Sequence, residues 1–336
     1  MQFYLAKGLK DHAKKLLNRI KELKERLENL EQSEKVRKDQ ELLIGLKRAN
    51  YYLNLAFSMY YHAQYDAQTE RKYLDAALSA LKELYEQQEF KAKVLDSNEY
   101  FTDLLRRDVL DVVMGKNLRQ ALDQVIRDSE DAFNYSYAIL IPNLQLIMVD
   151  YLIASAYLGK LDNALKLINN YSILKYSFSR IIDVIKLTLY ILFSYFVNRE
   201  YLPDVRDLAD KVAGTDLPQD DFILSDKTLG KMIQNSSRCP SIIVNLLKRL
   251  TDTLRLDESK ASNLIYQLLV NINIGIVALL ALSKLLVDLE TAKEIANCMM
   301  RTFSMETVTK LLREIAESNS EDEFKVALVK LAIYLF

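Results

Sequence analysis

Asp220-Asp221-Phe222-Ile223-Leu224-Ser225-Asp226 is the segment whose residue types and spacing come nearest to chemistry. Adjacent aspartates with a third a turn further on hold Mg²⁺ against a diphosphate when they share the cavity side of a helix. That chemistry also needs a second Asp-rich motif on a facing helix and cations for the diphosphate. No second motif and no following Arg pair occur, and Leu217-Pro218-Gln219 sets the aspartates in a polar stretch. The segment therefore reads as a solvated acidic loop with Ser225 or Asp226 capping the next helix.

The other reactive residue types are few. His12 and His62 are the only histidines. A histidine titrates near neutrality and can serve as an acid–base group, as it does in small helical ribonuclease domains where an Arg precedes it by about a turn. Arg48 precedes His62 by fourteen residues, and no Arg precedes His12. Capping or surface roles fit better, and a helix C-terminus favours a cationic ring at His62. No Glu-x-x-His pair exists for a di-iron bundle, and no Ser or Cys nucleophile has a base in reach along the chain. Cys239 and Cys298 fit a reducing compartment without a disulfide framework and are too few for a zinc site. The sequence thus predicts no catalytic residues, no metal, no cofactor and no enzyme.

The elements that would position any site are helices. The chain of 336 residues holds only 7 Gly and 4 Pro, where average usage gives roughly 24 and 17. Sheets need Gly and Pro for tight turns and bulges, and phosphate-cradling loops need Gly for close backbone approach. An all-α chain is the consequence.

The first helical pattern is a heptad seam. Ala13, Leu16, Ile20, Leu23, Leu27 and Leu30 fall at 3-4-3-4-3 spacing before Glu34 and Arg37 interrupt it. A turn near Ser33 and a return through Leu42, Leu46, Ala49, Leu53 and Ala56 make an antiparallel hairpin; one long bent helix is the alternative. Asp96 with Glu99 has capping-box spacing. Gly115, Gly159 and Gly214 follow helical patterns, where a C-terminal cap wants glycine. Pro203 and Pro240 suit first helical turns, and Pro142 predicts a break in an apolar run. Residues 170–179 read as a loop with flanking helix rather than an isolated strand.

Met114-Gly115-Lys116-Asn117-Leu118-Arg119-Gln120-Ala121-Leu122 repeats as Leu158-Gly159-Lys160-Leu161-Asp162-Asn163-Ala164-Leu165. The pairs Ala77-Leu78, Ala121-Leu122 and Ala164-Leu165, followed by Val205, give a period near forty. In an all-helical chain that means two helices per unit, and such units stack to cover their apolar faces. Ala156-Tyr157-Leu158-Gly159-Lys160-Leu161-Asp162-Asn163-Ala164-Leu165 resembles the helix–turn–helix joint of a tetratricopeptide-type repeat. Poorer copies run from Tyr195 to Val205 and from Tyr52 to Leu78, so the resemblance covers residues 50–213. The family's Trp and closing Pro are absent. What the resemblance implies is an architecture of stacked antiparallel hairpins, a TPR-like α-solenoid, and no ligand residues.

The expected organisation is a basic N-terminal hairpin over 1–66, a helical-repeat region over 67–214, an acidic linker over 215–226, and a helical bundle or HEAT-like stack over 227–336. Leu268 to Val287 is long and apolar, but Asn271, Asn273, Ser283 and Lys284 favour a buried helix pair over a membrane span. With no secretory signal in MQFYLAKGLKDHAKK, the expected location is cytoplasmic and a membrane partner is disfavoured.

Charge is uneven although the net is −1. Residues 1–50 carry thirteen Lys/Arg against eight Asp/Glu, and residues 199–226 carry three against eight. Lys14, Arg19, Lys21, Arg37, Lys38, Lys47 and Arg48 are the groups that would meet phosphate or an acidic partner. The bland account is a solvated face with i,i+4 pairs such as Glu22–Arg26 and Glu34–Lys38. Tyr51-Tyr52 and Tyr60-Tyr61 each place one ring inward and one near the surface.

The function expected on these grounds is a non-enzymatic helical-repeat adaptor or scaffold. The seam Leu16, Ile20, Leu23 and Leu27 would be covered by the returning helix, by a second copy of the chain or by a protein partner. The alternative is a nucleic-acid-associated subunit contacting phosphates through the basic hairpin. An all-α Mg-dependent prenyl-transfer enzyme is a distant third.

Overall fold

The computed structural model describes residues 10–33, 38–64, 66–86, 97–115, 117–136, 144–160, 179–197, 199–214, 239–270, 272–300 and 306–335. Helix makes up 90% of these residues, and no strand occurs among them. Neighbouring helices pack in pairs. The acidic 215–226 stretch, with Asp220, Asp221 and Asp226, lies outside the described residues. So do Pro142, Asp96, residues 170–178 and the Leu161–Leu165 part of the repeat joint.

Two compact units are present, one of residues 1–117 and 127–144, the other of 118–126 and 145–336. The first contains α1 (Lys10–Glu31), α2 (Gln40–Ala63), α3 (Ala67–Glu86) and α4 (Ser97–Val113). Each packs on the next along the chain. Helices α1 and α2 are separate, with the Asp39 side chain accepting from the Leu42 N–H at 3.1 Å to start α2. The core gathers Tyr51 and Phe57 of α2 with Leu74, Ala77 and Leu81 of α3 and Leu110 of α4. Tyr51 is buried and Tyr52 exposed, as adjacent positions on a helix must diverge.

Helix α5 (Leu118–Ser136) has its first nine residues in the second unit and the rest in the first. The second unit continues with α6 (Leu144–Leu158), α7 (Ser179–Phe196), a 3₁₀ turn (Arg199–Tyr201), α8 (Leu202–Ala213), α9 (Cys239–Leu254), α10 (Glu258–Val270), α11 (Ile272–Leu286), α12 (Leu289–Met300), α13 (Glu306–Ala316) and α14 (Glu321–Leu335). Its centre is α11, which packs against α7, α9, α10, α12 and α14. Ile276 through Ser283 are all buried, as an apolar-all-round helix requires. The long apolar stretch is thus divided between α10 and α11, and no helix among the described residues is long and apolar enough to cross a membrane. Gly275 permits that junction: a Cβ there would overlap the Leu268 carbonyl.

The helix ends follow the glycines in part. Gly115 (φ +75°) and Gly159 (φ +72°) take the left-handed conformation after α4 and α6. Gly214 also closes its helix but keeps φ −82°, so its backbone would accept other residues. Pro203 lies in the first turn of α8 and Pro240 in that of α9. The marker pairs Ala77-Leu78 and Ala121-Leu122 are buried on α3 and α5, and Val205 is buried on α8. Cys298 is disulfide-bonded, where the sequence led us to expect no disulfide.

Candidate interaction surface

One long side chain of helix α1 reaches both α2 and α3. The Lys24 ammonium donates to Asn54 Oδ1 at 2.8 Å and lies 5.7 Å from the Phe57 ring centroid and 5.4 Å from that of Tyr73. Its stem runs over apolar surface while its charge meets two ring faces and a buried amide. Asn54 is itself fixed, its Nδ2 donating to the Asn50 carbonyl at 2.9 Å. Lys47 of α2 pairs with Glu83 of α3 at 2.8 Å.

The heptad seam is only partly covered. Leu17 and Leu27 are 5% and 8% exposed, and Leu16 and Ile20 are half-buried. Leu23 and Leu30 stand 52% and 51% exposed. The reason is geometric. A straight helix has 3.6 residues per turn, so a strict seven-residue row drifts by about 20° per heptad. The side facing α2 runs through Leu17, Ile20, Lys24 and Leu27, and the row Leu16–Leu23–Leu30 slides off its edge. On a helical wheel Arg19 and Arg26 border that row, followed by Lys15 and Glu22, and all four are exposed. Among the described residues no ion pair involves Arg19 or Arg26, so the Glu22–Arg26 pair expected on spacing is not made.

Helix α2 repeats the arrangement. Its 4-3-4-3 stripe has Leu42 exposed and Leu46, Ala49, Leu53 and Ala56 half-buried. The deeply buried side is another one, carrying Ile44, Tyr51, Asn54 and Ser58. Both helices of the hairpin therefore keep an apolar edge in solvent.

The seven basic candidates do not act as one group. Lys14, Arg19, Lys21, Lys38 and Arg48 are exposed, Lys47 is tied to Glu83, and Arg37 lies outside the described residues. Lys14 and Lys21 sit on the outer side of α1, nearly opposite the leucine row, and Arg19 borders it.

What the sequence did not announce is a buried ionic network on α3 and α4. Glu70 is fully buried, accepting from Arg106 Nε at 2.5 Å and lying 3.1 Å from His62 Nδ1. His62, in the last turn of α2, is thus tied to a carboxylate as well as to the helix end. Arg71 Nε donates to Asp111 Oδ1 at 2.9 Å and its guanidinium also meets Asp75. Tyr51 donates its hydroxyl to Asp103 at 2.9 Å. Asp108 accepts twice from Arg107, at 3.1 and 2.9 Å, while its buried Oδ2 has no donor and faces Asp128. Burial first, then the Asp128 carboxyl, pushes Asp108 up to about 8, with Arg107 opposing. In the second unit, burial raises Asp150 on α6, and its Oδ1 has no hydrogen-bond partner. Glu70–Arg106 and Arg71–Asp111 are held as structural ion pairs between α3 and α4. Among the described residues no three His, Cys, Asp or Glu side chains are placed to hold a metal ion.

No protein-family model, curated protein or solved structure matches the chain.

Proposed function

We propose that the chain is a non-enzymatic adaptor or scaffold, a TPR-like or α-solenoid run of helical hairpins that binds a protein partner through its N-terminal hairpin. The observation that carries this reading is the uncovered leucine row of α1. Leu16, Leu23 and Leu30 stand seven residues apart along about 21 Å of helix, with two of the three mostly in solvent. Helix α2 adds Leu42 and the half-buried Leu46 and Leu53. Exposed leucines repeating along a helix in this way are the kind of apolar surface that marks an interaction site. In the same unit, ion pairs tie α3 to α4 through Glu70–Arg106 and Arg71–Asp111, as a scaffold needs.

The nucleic-acid reading is less well supported. Phosphate contact wants a coherent basic patch, whereas Lys47 is already paired and Lys14 and Lys21 lie away from Arg19.

Affinity capture from native extract, with and without nuclease, tests the proposal. A protein partner retained after nuclease treatment supports it. Recovery only of nuclease-sensitive material would favour the nucleic-acid reading instead.

A further inference from the structure

We infer that the leucine row of α1 docks an acidic amphipathic helix of another protein, its apolar residues at heptad spacing and its flanks bearing Glu or Asp. This rests on the adaptor reading and names the partner's chemistry.

The spacing comes first. A row repeating every seven residues drifts around a straight helix, and a second helix follows it by supercoiling with knobs-into-holes packing. A lipid surface sets no such register. It asks only for an apolar side, and α2 already packs on the part of that side built around Leu17 and Leu27. What remains exposed is the row through Leu23 and Leu30.

The border residues decide the partner's charge. Arg19 lies between Leu16 and Leu23, and Arg26 between Leu23 and Leu30, with Lys15 beside them. Glu22 is the one carboxylate among these border residues and makes no ion pair with either arginine among the described residues. Lys24, on the opposite border, is turned toward Asn54, Phe57 and Tyr73 and leaves the strip. Positions bordering a heptad seam set partner choice through interhelical pairs. Two arginines left unpaired beside an apolar row select carboxylates in the matching positions of the incoming helix.

A second copy of the chain fits poorly. Antiparallel pairing through this row would place Arg19 and Arg26 of one copy against those of the other. Parallel pairing would offer Arg19 no carboxylate, since Lys24 at the matching position is turned to Asn54, and would leave only Arg26 opposite Glu31. Like charges across such a contact select against self-pairing.

The test uses the full chain and synthetic peptides of about four heptads with Leu at the seam positions. One peptide carries Glu at all flanking positions, the other Lys; mutual repulsion keeps each from coiling with itself. Binding is followed by fluorescence anisotropy at low ionic strength. The Glu peptide should bind at least about tenfold more tightly than the Lys peptide. Arg19→Glu with Arg26→Glu should invert the preference. Leu23→Asp with Leu30→Asp should abolish binding while leaving the circular dichroism melt unchanged. Three results would overturn the inference: equal binding or no binding of the two peptides, self-association of the chain lost in the leucine variant, or sedimentation with phosphatidylcholine–phosphatidylserine vesicles. A protein captured from extract and still retained by the leucine variant would overturn this inference and leave the adaptor reading standing. Capture of no protein at all would overturn the adaptor reading itself.

Discussion

Lys24 Nζ donates to Asn54 Oδ1 across the N-terminal hairpin at 2.8 Å, and the same ammonium lies over the rings of Phe57 and Tyr73. Replacing Lys24 with Met keeps an apolar stem but leaves the buried Asn54 oxygen without its donor. The expected cost is about 1–2 kcal/mol. Because α1 packs on α2 along one side only, the loss should be local. Amide hydrogen exchange should quicken over Lys10–Glu31 and stay unchanged over α3; uniform acceleration across the first unit would contradict this.

Asp108 gives the first unit a pH dependence of definite sign. Its ordinary value is 3.8 and its folded value about 8, raised by burial and by the facing Asp128 carboxyl. The folded state therefore holds a proton that the unfolded chain has released. This contribution to stability is complete below the unfolded value and falls as pH rises toward 8. Asp108→Asn removes the titration and supplies an N–H toward Asp128. The variant should melt higher than the parent at pH 9, with the difference shrinking toward pH 5. A difference independent of pH would rule the carboxyl pair out as its cause.

Two glycines make opposite predictions. Gly275 of α11 meets the Leu268 backbone so closely that a methyl group has no room. Gly275→Ala should cost about 2–3 kcal/mol by forcing α10 and α11 apart. Gly45, exposed in the middle of α2, has nothing within 4 Å of a built Cβ. Gly45→Ala should stabilise by about 0.5–1 kcal/mol through helix propensity and a less free unfolded chain. Urea denaturation of both variants reads the two signs.

The helical class was legible from the scarcity of Gly and Pro, because no sheet or phosphate loop is built without them. The split of Leu268–Val287 into a buried helix pair was also legible, since Asn271 and Asn273 interrupt the run where α10 meets α11. The seam was legible in period but not in placement. A heptad count treats Leu23 and Leu27 alike, whereas the drift of a straight helix buries Leu27 and exposes Leu23. Leu17, outside the seam, is more buried than Leu16, Ile20, Leu23, Leu27 or Leu30. The ionic network was hidden because its partners lie far apart: Glu70 and Arg106 are 36 residues apart, Arg71 and Asp111 are 40. The available signal was charge inside an apolar helix, as in Asp103-Leu104-Leu105-Arg106-Arg107-Asp108-Val109-Leu110-Asp111.

The basic residues should prove dispensable for folding. Lys14, Arg19, Lys21, Lys38 and Arg48 are exposed, so changing all five to Gln should move the melting temperature little. The chain should show no binding of RNA or single-stranded DNA that weakens steeply with salt. A log–log salt slope of several counterions, abolished by the five changes, would shift the account to phosphate contact.

The central claim is that Leu23 and Leu30 are kept exposed for a protein partner rather than for the fold. The most direct measurement pairs two readings on one variant, Leu23→Asp with Leu30→Asp in the full chain. Thermal melting reports the fold, and capture of a nuclease-resistant protein from native extract reports the partner. The account predicts an unchanged melt, within about 0.5 kcal/mol for exposed sites, together with loss of the captured protein. A lowered melt with capture retained would contradict it, and would show that the leucine row serves the hairpin itself.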